Sequence, residues 1–512
     1  MRQMEYANIP KEKFEFYKRE DSIHDKSLDT KPIGYFRDAM GRFCRNRSSV
    51  IAAIIIFLVI LFAIFVPIFC ENNYTNVPTD PTYLQYGKLL PKSRLFAWAG
   101  WDGCSDETLN RNDYYARLAI EIETGMPVIT EVYQADYEDP TSTSNTTYYD
   151  IRTDSYVRNG MIYLTMTETE YLDVQAWQNE TGIQVIYPAV DTSSFMLESL
   201  KSNANIWYDC NQKGAAILDA EGNFVPIYKT TGNDGGYDSL RIDGDDGSYR
   251  YAVLTGSSSA AGYKVRVFTY TYFQYRYGFE PSFLFGTNNY GQDILTRLAK
   301  AARFSILLAL GVSAINMFIG AIYGAIEGYY GGAVDLIMER ISDILNYVPF
   351  IVVSTLFQLH LSKKVGVVTA LLFAFILTGW LGMASRVRMQ FYRYKNQEYI
   401  LAARTLGASD ARLMFRHIFP NALGTLITSC ALMIPSVVYS ESNLSYLGIV
   451  NLDSATLSSI GSMLSAGQPM LANYPHMILF PAILISMMMI SFNLFGNGLR
   501  DAFNPSLRGT ED

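Results

Sequence analysis

Long apolar runs, separated by one large polar segment, are the dominant pattern along the chain. The first run, residues 50–70, contains 21 residues and no charged side chain. A helix of that length rises about 30 Å, which matches the hydrocarbon core of a bilayer. The pattern predicts six transmembrane helices, over residues 49–70 and about 303–327, 346–361, 366–385, 422–447 and 475–497.

The polar segment, residues 71–285, has the pattern of a folded domain rather than a linker. Short runs rich in Val, Ile, Thr, Tyr and Phe alternate with clusters of Gly, Asn and Asp, which is typical of strands and turns. These runs cover residues 161–174, 182–190, 249–254 and 264–279. We therefore expect a β-rich domain between spans one and two.

Charge is unevenly distributed along the 512 residues, whose formal net charge is −8. Residues 71–285 carry 29 acidic and 15 basic side chains, whereas residues 386–417, between spans four and five, carry seven basic and two acidic ones. Basic loops tend to stay in the cytoplasm. We therefore expect residues 1–48 and the tail, residues 498–512, to be cytoplasmic and the β-rich domain to be extracytoplasmic. Segregated charge of this kind does not indicate a nucleic-acid partner.

The sequence lacks the common motifs of catalysis and nucleotide binding. It contains no GxxxxGK[ST] phosphate loop, no GxSxG or HExxH, and no GxGxxG in a strand-to-helix setting. The chain is therefore not expected to be an enzyme, and active transport would need energy from another subunit. Two acidic residues within the spans, Glu327 and Glu441, are expected at membrane interfaces rather than in a proton path.

The five cysteines and four histidines are scattered, and no CxxC pair occurs. This distribution predicts no metal site. Cys104 and Cys210 both lie in the acidic segment. They either form a disulfide in an oxidising compartment or remain as two free thiols.

The basic loop between spans four and five is predicted to form a helix–glycine–helix hairpin. Gly407 can adopt the positive φ that ends a first helix, and Ser409 or Asp410 can cap a second one. The small residues that would leave a low spot for another backbone are Ala402, Ala403, Gly407 and Ala408. The hairpin would either dock onto another protein or rest on anionic lipid headgroups.

This hairpin resembles the EAA loop of ABC importer permeases, whose motif has Glu-Ala-Ala, then Gly, then an apolar residue and Pro. The residues at the matching positions are Ala402, Ala403, Gly407, Ile418 and Pro420. Leu401 stands where the motif has Glu, and Glu398 lies one helical turn earlier. The departure affects one polar contact that the family motif makes with an ATPase.

The segment before the second span resembles the peptide-type (dipeptide/oligopeptide/nickel) branch of this family, and its C-type permease in particular. FGTNNYGQDILTRLAKAARFSILLAL, residues 285–310, is similar to the family pattern FGTD-x-x-GRD-x-x-SR, with Gln292 in place of Arg. The residues of this motif are Gly286, Thr287, Asn288 (in place of Asp), Gly291, Asp293 and Arg297. The large insert is not part of the common family core.

The resemblance implies a permease subunit of an ATP-driven importer in the bacterial plasma membrane, with residues 286–505 as its core and 388–420 as its coupling loop. A second permease would form the other half of the pathway, and two cytoplasmic ATPases would use ATP and Mg²⁺. An extracytoplasmic solute-binding lipoprotein would deliver the substrate, for which peptides are expected, although nickel complexes and some sugars are carried in the same branch. Gly407 would bend the coupling helix, and Arg404 and Arg412 would make charged contacts.

Two other classes of protein share some of these features. A membrane sensor or adaptor would bind a ligand or protein with the external domain and signal through the spans. A subunit of an envelope complex would use the same domain for assembly. A sensor needs a cytoplasmic output domain, and about 48 N-terminal and 15 C-terminal residues give little room for one.

Overall fold

The computed structural model describes residues 35–74, 83–138, 147–230, 249–255, 262–452 and 457–503. Most of the predicted cytoplasmic segment 1–48 and of the tail 498–512 therefore lies outside the described residues. The helices are, in chain order, α1 (Tyr35–Arg45), α2 (Arg47–Tyr74), α3 (Arg111–Thr124), α4 (Glu168–Thr181), α5 (Glu198–Lys201), α6 (Thr269–Tyr277), α7 (Ile294–Tyr330), α8 (Gly332–Asn346), α9 (Phe350–Val365), α10 (Val367–Gly379), α11 (Leu381–Tyr394), α12 (Glu398–Thr405), α13 (Asp410–Arg412), α14 (Phe419–Tyr446), α15 (Ile460–Gly467) and α16 (His476–Phe503).

Five helical stretches of the described chain are long and apolar enough to cross a membrane, or six if one bent pair is a single span. They are Arg47–Phe69, Ile294–Tyr330, Val367–Tyr394, Asp410–Tyr446 and His476–Phe503. The bent pair is α8 and α9, which meet at 72°. Pro349 lies at the N-cap of α9, where its fixed φ and missing N–H interrupt the helix. The predicted helical membrane fold is confirmed, with a broken element in place of a simple third span.

Several of these helices extend well beyond the apolar runs that predict them. The second span was expected over residues 303–327, whereas α7 runs for 37 residues. Its first turns carry Arg297, Lys300 and Arg303. A span predicted from an uninterrupted apolar run therefore begins only after these charged residues. A helix continues through them because long basic side chains favour helical backbone; Arg297 is buried in the protein, whereas Arg303 is exposed.

The packing of α7 against α11 depends on three glycines four residues apart on one face of α7. A Cβ added at Gly320 would lie 2.7 Å from Met383 Cβ, and one at Gly328 would lie 2.7 Å from Phe391 Cβ. A Cβ at Gly324 would overlap the carbonyl oxygen of Ala384. Small residues at this spacing let two helix backbones approach closely, which is the main source of attraction between helices in lipid.

The domain between α2 and α7 contains two antiparallel sheets. The strands are β1 (Cys104–Asn110), β2 (Ile129–Glu138), β3 (Thr147–Asp154), β4 (Met161–Met166), β5 (Ile186–Tyr187), β6 (Ala252–Thr255) and β7 (Gly262–Phe268). The first sheet has the order β1-β3-β2, and in the second β7 pairs with β4, β5 and β6. The predicted β-rich domain is therefore present, and we refer to it as the β domain.

Two of the predicted β runs are partly helical. The run at 161–174 is a strand only to Met166, because Thr167 and Glu170 form a capping box that starts α4. The run at 264–279 leaves β7 at Phe268 and becomes α6, in which Tyr270 and Phe273 share a buried face. A run dense in aromatic residues is typical of a strand. Here, however, the buried aromatic residues Tyr270 and Phe273 are three positions apart, which places them on one face of a helix.

A buried ion pair links the second sheet of the β domain to α3. Arg266 on β7 binds both carboxylate oxygens of Glu123 on α3, at 2.8 and 2.9 Å. It also donates to the carbonyls of Ala204 and Pro188. Burial raises the pKa of Glu123, and the guanidinium opposes that rise. These hydrogen bonds from Arg266 offset the desolvation cost of burying the two charged side chains.

Cys104 and Cys210 carry free thiols in the structure. Cys104 begins β1 beside Asp102, whereas Cys210 belongs to a separate cluster around Trp207. The disulfide considered from the sequence is therefore not formed. Burial raises the pKa of the Cys104 thiol to about 11, so it stays protonated and unreactive near neutral pH.

The glycine face of α7 gives a direct test of helix packing. We expect Gly324→Ala to lower the free energy of unfolding by about 1–3 kcal/mol, because the new methyl group overlaps α11. Gly311→Ala is the matched control, since it lies in the same helix with open space around it. Thermal unfolding of the two variants in the same detergent measures the difference. Equal transition temperatures would contradict the assigned contact.

Candidate functional site

The loop between α11 and α14 folds into the predicted hairpin, and its turn is a Schellman motif. The amide of Ala408 donates to the carbonyl of Ala403 at 3.1 Å, and the amide of Gly407 donates to that of Arg404 at 3.0 Å. Gly407 has φ of +83°, which a residue with a side chain adopts only at a cost. The backbone therefore turns at this glycine whatever docks against it.

The second arm of the hairpin differs from the prediction because it joins span five without a break. Ser409 takes the N-cap position but makes no side-chain cap bond. After α13 the backbone widens into a π-helix at Leu413–Ile418 and then continues as α14. Pro420 lies in the first turn of α14. The wider turn accommodates a proline that cannot donate to the preceding turn.

Buried apolar side chains fix the hairpin to the membrane helices. Ile400 from the first arm and Leu413 and Ile418 from the second are fully buried. They belong to one cluster with Val387 and Phe391 of α11. Burying a side chain of this size stabilises a structure by about 1.5–3 kcal/mol, so the hairpin and α11 form a single packed unit.

A tyrosine at the end of α7 joins the two arms of the hairpin. The hydroxyl of Tyr329 donates to Oδ1 of Asp410 at 2.6 Å and accepts from the guanidinium of Arg404 at 3.3 Å. Arg404 and Asp410 thus bind the protein's own α7, although Arg404 was expected to contact a partner. Tyr329 was not predicted, because its role depends on two residues more than 70 positions later in the chain.

The hairpin leaves a small apolar surface exposed beyond the membrane helices. Leu406 is 88% exposed and Leu401 is 45% exposed, and Ala402 and Gly407 lie on the same exposed surface. Ala403 and Ala408 are instead packed inward against the hairpin cluster. The other predicted residues, Glu398, Arg412 and Pro420, are exposed. Exposed leucines on an ordered turn are typical of a protein contact.

An ion-pair network lies beside the hairpin, between α7, α8 and α11. Arg388 binds Asp335 at 2.6 Å and Glu339 at 2.8 Å, and it lies 3.5 Å from Glu327. Glu327 is buried within this network. One guanidinium therefore holds the first half of the bent pair against the two packed helices. The network lines a cavity of about 280 Å³ with more acidic than basic groups.

The second acidic residue of the spans, Glu441, is fully buried in the protein, and its expected position at a membrane interface stays a prediction. Its carboxylate accepts from Ser305 of α7 at 2.9 Å and from Ser445 one turn later at 3.0 Å. These hydroxyl donors satisfy a buried carboxylate that would be costly without partners. Glu441 therefore links α14 to α7.

The motif before the second span forms a buried turn that attaches the β domain to α7. Thr287 accepts from the amide of Leu89 at 2.8 Å, and its own amide donates to the carbonyl of Leu89 at 2.9 Å. Asn288 accepts from the amides of residues 290 and 292. Asp293 caps α7 by accepting from the amide of Thr296 at 2.9 Å. The motif residues also present are Gly286 and Gly291, both with positive φ, and the buried Arg297.

A small cavity lies between α7, α9, α10 and α14, and its volume is about 210 Å³. Its lining is mostly apolar, with aromatic rings from Phe350 and Phe375, and it also includes the hydroxyl residues Thr378, Ser436 and Ser440. Asn316 belongs to the lining, but its side-chain oxygen is buried and finds no donor within the described residues.

Comparisons with known proteins address the family directly. Residues 301–509 match the model of the binding-protein-dependent transport system inner membrane component. Residues 34–91 match the N-terminal transmembrane domain of oligopeptide transport permease C. The oligopeptide transport system permease protein OppC of Bacillus subtilis is 44% identical over 224 residues, which cover 44% of this chain and 72% of that protein. The chain belongs to this permease family.

Two further relatives are also named as permease proteins of peptide transport systems. The dipeptide transport system permease protein DppC of Bacillus subtilis is 38% identical over 225 residues, covering 44% of this chain and 69% of that protein. OppC of Haemophilus influenzae is 37% identical over 225 residues, covering 44% and 70%. This permease is a multi-pass inner membrane protein. The two family models leave residues 92–300 unmatched, so the family region reaches about 20 residues into the predicted insert.

The contact of Tyr329 with both arms can be tested by removing one hydroxyl. We expect Tyr329→Phe to speed hydrogen exchange in residues 398–412 about tenfold, because a hydrogen bond to a charged group contributes about 1.5–3 kcal/mol. Tyr330→Phe is the control, because Tyr330 is the next residue in the chain and is 53% exposed. Exchange is followed by mass spectrometry on the membrane-embedded protein. The same exchange rate in both variants would show that the hydroxyl does not hold the arms.

Proposed function

We propose that this permease forms half of the translocation pathway of an ATP-driven importer of peptides. The observation that carries the proposal is the hairpin, which is packed into the membrane helices on one side and presents two exposed leucines on the other. The peptide class is supported by the names of the relatives. The sequence has no phosphate-binding GxxxxGK[ST] loop, and we expect ATP and Mg²⁺ to act in two partner ATPases.

The hairpin has the structure that a mechanical coupling element needs. A force on Leu406 reaches Ile400 and Leu413 through a turn of fixed geometry, and from there it reaches α11 through buried contacts. Arg388 carries it on from α11 to α8. Closure of the ATPases would then move α7, α8 and α11 together and switch the pathway between outward-open and inward-open states.

The charge distribution supports the orientation of the permease. The hairpin lies at the end of α7 that is distant from the β domain, beside the seven basic residues of residues 386–417. Basic residues favour the cytoplasmic side. We infer that the hairpin and both termini are cytoplasmic and that the β domain is extracytoplasmic, where a solute-binding lipoprotein or the second permease would contact it.

Two features of the helical core fit the translocation pathway and the contact with the second permease. The cavity beside Asn316 would be part of the pathway, because the hydroxyl groups of Thr378, Ser436 and Ser440 in its lining can exchange hydrogen bonds with a peptide backbone. The bent pair exposes Leu336, Ile337 and Ile344 of α8. An exposed apolar face of this kind suits the second permease, with which the pathway would be completed.

The exposed leucine of the turn gives the test of coupling. We expect Leu406→Asp to lower peptide uptake by at least tenfold and to release the ATPase subunits, because a charge replaces the apolar contact. Met196→Asp, at a 78% exposed site in the β domain, is the control. Uptake and co-purified ATPase are measured in the same cells.

A second variant changes the shape of the turn and not its apolar side chain. Gly407→Trp places a large side chain at a φ of +83°, which only glycine adopts without strain, and it is expected to abolish coupling by deforming the turn. Normal uptake by both variants at normal membrane levels would rule out the hairpin as the ATPase contact. Lost uptake with retained ATPase would assign the effect to a step after docking.

A further inference from the structure

A short loop of the β domain, Ser93–Trp101, exposes three large apolar side chains that are not buried in the core of the domain. Trp98 is 85% exposed, Leu95 is 79% exposed and Phe96 is 44% exposed. Three such residues within four positions would be costly on a surface that faces only water.

The loop is a built structure with a fixed shape. The amide of Ser93 donates to the carbonyl of Trp101 at 2.8 Å, which closes the base of the loop. The indole N–H of Trp98 donates to the carbonyl of Leu95 at 3.1 Å. Gly100 supplies the positive φ, +87°, that brings the chain back. The apolar side chains therefore project from an ordered turn.

The base of the loop rests on the ends of two membrane helices. The ring of Trp101 meets Phe285 and Phe480 edge to face, with centroids 5.9 and 5.8 Å apart. Phe285 precedes α7 and Phe480 lies near the start of α16, and their rings stack on each other at 4.0 Å. Both α7 and α16 are candidate membrane spans that begin close to this point, which favours a position of the loop at the membrane surface on the β-domain side.

The apolar surface continues from the loop into the membrane. Phe285 and Phe480 form the upper wall of a groove of about 330 Å³ between α2, α7 and α16. All its lining side chains are apolar, and Leu58 and Ile483 at its edges are more than half exposed. Residues so exposed on a membrane helix face acyl chains. The loop is thus an extension of the lipid-facing surface.

A positive charge stands next to the apolar side chains. The side chain of Arg94 is 95% exposed, and its ion pair with Glu280 is long, at 3.6 Å. A guanidinium at this place can bind a lipid phosphate, while Trp and Phe occupy the zone below the headgroups. Apolar side chains flanked by an exposed arginine match the chemistry of a phospholipid leaflet.

We propose that the loop Ser93–Trp101 is a lipid anchor. Leu95, Phe96 and Trp98 enter the leaflet on the β-domain side, and Arg94 binds headgroup phosphate. The anchor gives the β domain a second attachment to the membrane, besides the turn at Thr287. This proposal depends on the membrane fold of the permease and not on the identity of its substrate.

Fluorescence quenching by lipids tests the anchor. The full-length permease, with the subunits that co-purify, is placed in nanodiscs of phosphatidylglycerol and phosphatidylcholine with bromine at a shallow or a deep acyl position. Of the five tryptophans, Trp98 is expected to lie closest to the shallow bromines. Trp98→Phe should therefore reduce shallow quenching at least twofold more than Trp177→Phe, which removes a ring packed against Tyr275 inside the β domain.

Each other outcome overturns the anchor. Quenching of Trp98 by aqueous iodide but not by brominated lipid would place the loop in water. Protection from both quenchers would mean that another protein subunit covers the loop. A second comparison does not depend on tryptophan fluorescence. In the same nanodiscs, Leu95→Asp should reduce the protection of residues 93–101 from hydrogen exchange, because a charged side chain does not enter the leaflet. Met196→Asp should leave that protection unchanged. Unchanged protection in Leu95→Asp would also overturn the proposal.

Discussion

The close approach of α7 and α11 is the constraint on which the rest of the permease depends. In lipid, helices gain little from hiding apolar surface, so they need direct backbone and side-chain contact. Gly320, Gly324 and Gly328 provide it because none of the three carries a Cβ where α7 meets α11. The same helix then carries a functional element at each end: the turn at Thr287 binds the β domain, and Tyr329 binds the hairpin.

Polar groups on the membrane helices are arranged as links between helices. Glu441 joins α14 to α7 through serine hydroxyls, and Arg388 joins α11 to α8 through carboxylates. In both cases a charged group would be too costly without its partners. Such links fix which helices move together, and this makes them part of the proposed coupling path as well as of the fold. Asn316 is different, because its side-chain oxygen is buried and finds no donor among the described residues.

One side of the junction that attaches the β domain lies in a matched family region. The segment around Leu89 falls in the family region 34–91 and pairs with the motif turn at Thr287. The unmatched part of the domain therefore begins after this junction rather than directly after the first span. Within the domain, the buried pair Arg266–Glu123 links β7 of the second sheet to α3.

The sequence by itself determined the features that depend on local pattern. Apolar runs of membrane length predicted the spans, and the spacing around Gly407 predicted a hairpin that the structure contains. Only the tertiary structure decided the features that depend on distant partners. It brought Tyr329 to Asp410, buried Glu441 among serines, and turned Ala403 and Ala408 inward. It also made helix of the aromatic run after Phe268, where burial on one face overrides the strand-like composition. Local pattern fixes which backbone is possible, whereas packing decides which side of it is buried and which residues meet.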